Sequence, residues 1–259
     1  MIPINDLGVY NAGMEKSMLD KIWWFDKIGS NVMSVTDYGC ANGALLSMVN
    51  RMDSALNLYG YDFNEDMIAL AGENVPDATF SNSFRNIVND VDTSSGVLIA
   101  SSVFHEIHNY SCSVDSEYTN IFQSGYKYIA IRDMFVSSKS FYQSDGVSVA
   151  KIRQRFDRKL IDEFESYCGH IDRNENLLQF LLTYRYKENW DREVRENYFP
   201  YTIEEFLNRI PKCYEVVHFE HYVLPFVREC VAKDFGIDVP GNTHAKILLR
   251  LKLRETVNG

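Results

Sequence analysis

Asp37, Gly39 and Gly43, followed by Asp62, are the residues of this chain whose types and spacing best suit ligand chemistry. Glycine adopts φ > 0 at little cost and lets a ligand come close to the backbone. A helix that starts after such a turn offers free N–H groups at its N-terminus. A carboxylate about 20 residues further on stands where a ribose hydroxyl is held in a doubly wound α/β sheet. The plain alternative for Asp62 is a strand-end turn residue or a helix cap. A second set lies in Val103-Phe104-His105-Glu106-Ile107-His108-Asn109-Tyr110. A neutral imidazole near pH 7 can take a proton from a hydroxyl or an amine, so His105 is the candidate general base. Glu106 could orient it or meet a substrate cation, or the two could simply cap a helix and pack under a lid. The zinc-protease pattern puts two histidines at i, i+4. Here His105 and His108 are at i, i+3 with no evident third ligand, so no metal is expected. The third set is Arg132-Asp133, readable as a structural ion pair or as a guanidinium fork for a substrate carboxylate or phosphate. His244, after Gly241-Asn242-Thr243, could reach the same rim, although a lone histidine at a strand start is more often structural.

The elements that must position these groups follow from the apolar pattern. Met14, Met18, Ile22 and Phe25 form one stripe at helical spacing, which predicts a helix over 14–28. Strands are expected at 32–38, 55–62, 78–84, 96–103 and 126–133, with helices after Gly43 and after Asn64, the latter stopped by Pro76. The fourth and fifth strands are continuous apolar runs, the mark of parallel strands buried on both faces. Alternating strands and helices over ~120 residues argue for a parallel sheet with helices on both sides. The rhythm breaks over 137–200. Val149, Ile152, Phe156, Leu160, Phe164 and Tyr167 predict one long amphipathic helix, and Leu177, Leu178, Leu181, Leu182 and Arg185 a second. Thr202-Ile203-Glu204-Glu205 is a capping box. Strands at 214–224 and 244–253 flank a helix over 225–235. The fold class is therefore α/β: a doubly wound, mostly parallel seven-stranded sheet with one antiparallel strand, helices on both faces and a helical insertion after strand five. The expected division is an N-terminal helical cover (1–29), a core (30–136 with 200–259) and a helical insertion or substrate lid (137–199).

Composition narrows the function classes. The 259 residues carry a formal net charge of −10, which argues against a surface that coats nucleic acid generally. No run approaches the ~18 apolar residues of a membrane helix, and the N-terminus lacks a basic and apolar leader pattern. The five cysteines are scattered, odd in number and without a CxxC pair, which suits free thiols in a reducing cytoplasm. Cys40, in the glycine turn, reads as a small packing residue. Lys151, Arg153, Arg155, Arg158 and Lys159 alternate with the apolar stripe and are expected on the solvated face of one helix. The segment 184–193 mixes aromatics with cations and could close a lid over a small acceptor or stack bases.

The pattern Asp37-x-Gly39-x-x-x-Gly43 after strand one, with Asp62 ending strand two and a special loop after strand four, resembles the class I S-adenosylmethionine-dependent methyltransferases. The resemblance covers about residues 30–135, with a continuation in 200–253. A dinucleotide fingerprint G-x-G-x-x-G is not matched, because Ala41 stands two after Gly39. Many members of the family have glycine at that place, and alanine removes one φ > 0 option. The resemblance implies S-adenosylmethionine as cofactor. Asp37, Gly39 and Gly43 would shape the pocket for its amino-acid end, and Asp62 would accept from both ribose hydroxyls. Phe63 and Met67 would pack near the adenine, with Ser83 or Phe84 (or Asn82) beside the ring, and Ser101 and Ser102 near the sulfonium. His105, Glu106 and Arg132 are the expected catalytic set, acting on an oxygen or nitrogen of a small-molecule acceptor. The rivals are a nucleic-acid or nucleotide methyltransferase using the basic insertion, and a cofactor-binding regulatory or scaffold protein without methyl transfer.

Overall fold

The computed structural model describes residues 17–252. Seven strands form one sheet in the order β3-β2-β1-β4-β5-β7-β6. They are β1 (Ser34–Tyr38), β2 (Asn57–Tyr61), β3 (Thr79–Ser81), β4 (Gly96–Ser101), β5 (Tyr128–Met134), β6 (Tyr214–Tyr222) and β7 (His244–Leu251). β7 runs antiparallel to both β5 and β6, while β1–β5 pair in parallel, so one strand is reversed. Strand order changes direction between β1 and β4. The crevice beyond their carboxyl ends is where an open α/β sheet receives a ligand. Every residue of β1 is buried, and all of β4 but its last, which is why β4 reads as a continuous apolar run. At the outer edge, β6 slips register between Val216 and His218, a bulge that bends an otherwise open edge.

The helices are α1 (Ala44–Met52), α2 (Glu65–Asn74), α3 (Phe84–Asp90), α4 (Phe104–Tyr110), α5 (Val114–Gln123), α6 (Gly146–Arg155), α7 (Arg158–Cys168), α8 (Asn174–Arg185), α9 (Trp190–Glu193), α10 (Ile203–Arg209) and α11 (Pro225–Phe235). On one sheet face Leu98, Ile129 and Ile247 pack with Phe104, Phe122 and Phe206. On the other, Val35, Val97 and Ile99 pack with Trp24, Leu46 and Val49. The helices between β5 and α10 build a third apolar cluster from Phe164, Leu177, Phe180 and Leu181, completed by Leu224, Val227 and Phe235 at and within α11. The helix after β6 thereby ties the insertion to the sheet. Among the described residues no helix is long and apolar enough to cross a membrane.

Four elements differ from the sequence expectation. Of 14–28, Met14 lies outside the described residues; 17–21 are helical and 22–27 are turns. Phe25 N–H donates to the Ile22 carbonyl and Lys27 N–H to the Trp24 carbonyl, i→i+3 bonds that deliver Trp24 into the core. The single long helix over 149–167 is two, α6 and α7. Phe156 is extended, its ring packing against Phe180, Tyr184 and Trp190, and Asp157 caps α7 by accepting from Lys159 N–H. The third strand stops at Ser81, with Ser83 at the N-cap position of α3 and Phe84 inside that helix. The basic cluster lies on two helices, α6 and α7, rather than one, with Arg153, Arg155, Arg158 and Lys159 all exposed. Arg153 pairs with Glu165 at 2.5 Å, Lys151 Nζ donates to the Gly236 carbonyl, and an Arg155 N–H donates to the Asp234 carbonyl.

Candidate active site

β1 delivers the chain into a turn where every second residue is left-handed: Gly39 at φ +80°, Ala41 at φ +45° and Gly43 at φ +76°. The N–H groups of Gly39 and Cys40 both donate to the Tyr61 carbonyl, at 2.8 and 2.9 Å. This locks the turn to the end of β2. The Asp62 carboxylate completes the joint, accepting from Ala41 N–H at 2.9 Å through Oδ2 and from Asn64 N–H at 3.0 Å through Oδ1. Each oxygen keeps a second lone pair for a further donor. Alanine at 41 therefore does not remove the φ > 0 option; it takes that conformation against its own preference, at a cost of about 1 kcal/mol. Ala41→Gly should relieve this strain and raise the melting temperature by about 2–4 °C. Unchanged or lowered thermal stability in a scanning unfolding experiment would contradict the strain.

A cavity of about 560 Å³ opens over this joint. Gly39, Asp62, Phe63 and Ser101 line it, as do Ser102, Tyr38, Ala41 and Tyr61. Asp62 is only 8% exposed, whereas Phe63 is 64% exposed. Asp37, Gly43, Met67, Ser83 and Phe84 do not form its wall. Phe84 is instead a core residue, its ring against Tyr38 and Tyr61 at 4.8 and 5.6 Å between centroids. Asn82 Nδ2 donates to Glu65. Asp37 lies buried behind the turn. Burial, reinforced by the Asp62 charge, pushes its carboxyl up to about 7 against the opposing pull of Lys21. Lys21 itself lines the cavity and is drawn down to about 8, first by burial and then by Arg132. With Ser17 it is the part of the expected N-terminal cover (1–29) that lines the cavity; residues 1–16 lie outside the described residues.

The other half of the cavity is built from the ends of β4 and β5. Ser102, at φ +60°, turns the chain into α4, with its N–H donating to the Arg132 carbonyl at 2.7 Å. His105 Nδ1 lies 2.7 Å from Asp133 Oδ1, and Phe104 and Met134 N–H groups donate to the same carboxylate at 2.6 and 2.7 Å. Burial alone would raise Asp133, but the imidazole and these donors hold it below the usual carboxylate range. Burial alone would likewise lower His105. Asp133, Glu106 and Glu196 outweigh it and carry the imidazole up to about 9. Its carboxylate neighbours thus favour the protonated ring in the cofactor-free protein. His108 faces elsewhere, edge-on to Tyr201 at 5.5 Å, so the two histidines do not converge. Arg132 and Asp133 do not pair. Successive strand residues point to opposite faces, and Arg132 Nε donates to Asp20 at 2.9 Å while Nη1 donates to Ser102 Oγ at 2.7 Å. His244 joins the same wall, buried and held neutral, well below its ordinary value, first by burial and then by Arg132 and Arg185.

The insertion supplies the roof: Arg185, Tyr186, Arg192, Glu193, Glu196 and Tyr198. Arg192 Nη2 meets Glu196 at 2.8 Å and Glu106 at 3.8 Å, and Tyr198 donates its hydroxyl to Glu193. Burial, then the neighbouring Glu196, pushes Glu193 up to about 7. Of these, 185–193 fall in the segment whose mixture of aromatics and charges marked it as a lid; Glu196 and Tyr198 carried no such signal, nor did Tyr38 and Tyr61.

No family model and no curated protein matches the chain by sequence. Similar solved structures include the plantazolicin methyltransferase BamL in complex with a triazolic desmethylPZN analog and SAH (11% identity, 93% of this chain and 86% of that chain, TM-score 0.51). Others are the MccD protein (11%, 93% and 98%, 0.51) and a SAM-dependent methyltransferase from Anabaena variabilis (8%, 97% and 96%, 0.50). At these identities the likeness is one of fold, and it covers 93–97% of this chain. With its strand order, its single reversed strand and a cavity at the switch point, the chain has the Rossmann-like fold of the class I S-adenosylmethionine-dependent methyltransferases.

Proposed function

We propose that the protein is an S-adenosylmethionine-dependent methyltransferase acting on an oxygen or nitrogen of a small-molecule acceptor. The observation that carries this reading is one continuous cavity with Asp62 and its strained turn at one end and the His105–Asp133 pair at the other. The residues fit the cofactor. Asp62 retains acceptor capacity for two ribose hydroxyls, Gly39 and Ala41 leave the turn without bulk, and Ser101 and Ser102 stand between the two ends. When bound, S-adenosylmethionine supplies a methyl group on a sulfonium, an electrophile that a correctly placed nucleophile needs little further help to use. The chain's task is then orientation and exclusion of water. Tyr186, Tyr198 and Leu182 roof the cavity. His105 takes the acceptor's proton at Nε2, because Nδ1 is committed to Asp133. Asp133 fixes the ring and stabilises the imidazolium that results. With the cofactor bound, its positive charge would lower the His105 imidazole from its cofactor-free value, towards the range where the ring can act as a base.

The nucleic-acid alternative keeps an exposed basic cluster, of which Arg153 pairs with Glu165 while Lys151 and Arg155 donate to the Gly236 and Asp234 carbonyls; the net charge of −10 disfavours it. The proposed division of labour keeps the sheet as cofactor platform and the insertion as acceptor lid. Calorimetric titration with S-adenosylmethionine, S-adenosylhomocysteine and NAD tests the reading: the two sulfur compounds should bind and NAD should not.

A further inference from the structure

We propose that the methyl acceptor carries a carboxylate, received between Arg132 and Arg185 beside His244, with its apolar body against Leu182 and Leu224. This deepens the methyltransferase reading and rests on it. Arg132 is 4% exposed, and among the described residues its Nη2 is buried without a hydrogen-bond partner. An orphaned guanidinium N–H inside a protein costs more than a neutral one, so such a group calls for an anion. The carboxylate paired with it among the described residues, Asp20, is shared: Asp20 also accepts from Lys246 at 2.7 Å and from Tyr222 at 2.6 Å. Arg185, at the end of α8, lines the same cavity. Its guanidinium lies 3.4 Å from the Phe226 ring centroid and gives one N–H to Tyr186 Oη at 3.0 Å. Among the described residues it has no carboxylate within ion-pair distance. The two guanidinium groups feel each other's charge, and both act on His244, which is neutral and adds no negative charge. Two arginines facing one cavity with an unspent donor, next to leucines, are complementary to an anion mounted on an apolar body. Glu193 and Glu196 on the neighbouring wall disfavour a dianion, which selects a carboxylate over a phosphate.

Benzoate is a suitable probe, with benzamide as its neutral counterpart, each titrated into the wild-type protein with and without saturating S-adenosylhomocysteine. Benzoate is expected to bind at least about tenfold more tightly than benzamide, the usual worth of a charge-assisted contact. Arg185→Gln should remove that preference while changing S-adenosylhomocysteine affinity less than about threefold. Arg185→Lys, which keeps the charge, should bind benzoate more tightly than Arg185→Gln. The wild-type comparison decides the matter even where a variant unfolds. Equal affinity for benzoate and benzamide overturns the anion site. Parallel loss of S-adenosylhomocysteine in Arg185→Gln also overturns it, assigning the guanidinium to the cofactor's own carboxylate. Failure of the wild type to bind S-adenosylhomocysteine overturns the methyltransferase reading itself, a distinct result.

Discussion

Asp62→Ala is expected to weaken S-adenosylmethionine binding at least about 100-fold. Two hydroxyl-to-carboxylate hydrogen bonds are lost, each worth about 1.5–3 kcal/mol in a site shielded from water. The same substitution strips the acceptor from Ala41 and Asn64 N–H, which lie 2.9 and 3.0 Å from the carboxylate. A modest fall in stability, of about 1–2 kcal/mol, should therefore accompany it. Thermal unfolding separates the two effects, because a folded variant with lost binding isolates the ligand contact. Wild-type affinity in a folded Asp62→Ala protein would show that the ribose is not held there. The second glycine-turn acid, Asp37, should behave differently: it is buried away from the cavity wall, so its removal acts on the turn rather than on the ligand.

His105→Ala should retain S-adenosylmethionine affinity within about threefold and lower turnover by about 10²–10⁴, the usual worth of a positioned general base. Asp133→Asn should approach the same loss, since the amide cannot stabilise the imidazolium, and its NH₂ competes for the wrong ring tautomer. The direction of the pH effect follows from the charges around the ring. Desolvation would lower His105, but Asp133, Glu106 and Glu196 bring it up to about 9 from an ordinary value of 6.5. Only the deprotonated ring accepts a proton. Activity should therefore rise with pH across the window from 6.5 to 9, with the bound sulfonium placing the midpoint below the cofactor-free one. Methyl transfer that falls over this window, or that is indifferent to His105→Ala, would remove the base role. Indifference in a protein that binds cofactor and forms no product would favour the scaffold alternative.

The sheet was legible because its signals are local. The apolar runs of β4 and β5, the glycine turn, the capping box at Thr202 and the Pro225–Gly236 boundaries of α11 each follow from a few adjacent residues. The break between α6 and α7 was not legible, because Val149, Ile152, Phe156, Leu160 and Phe164 continue one stripe across it. The Asp157 cap and the pull of the aromatic cluster on Phe156 decide it. Phe84 looked like the end of a strand because an aromatic after an alternating run favours one, yet Tyr38 and Tyr61 draw it into the core at the start of a helix. In the site, Asp62 and His105 were visible from their places after strands two and four. The His105–Asp133 pair was hidden by Arg132, whose adjacency suggested an ion pair that strand alternation forbids. The rise of His105 depends first on Asp133, 28 residues away, and Glu196 joins the site by a contact to Tyr110 86 residues away in sequence, which no local pattern encodes.

The most direct test is calorimetric titration of the wild-type protein with S-adenosylhomocysteine, the stable product that shares the ribose, adenine and amino-acid groups of the cofactor. One-to-one micromolar binding, with none for NAD, is the predicted result, and it would justify a search among carboxylate acceptors. No binding of S-adenosylhomocysteine, or binding of NAD in its place, would contradict the assignment of the cavity to a methyl donor.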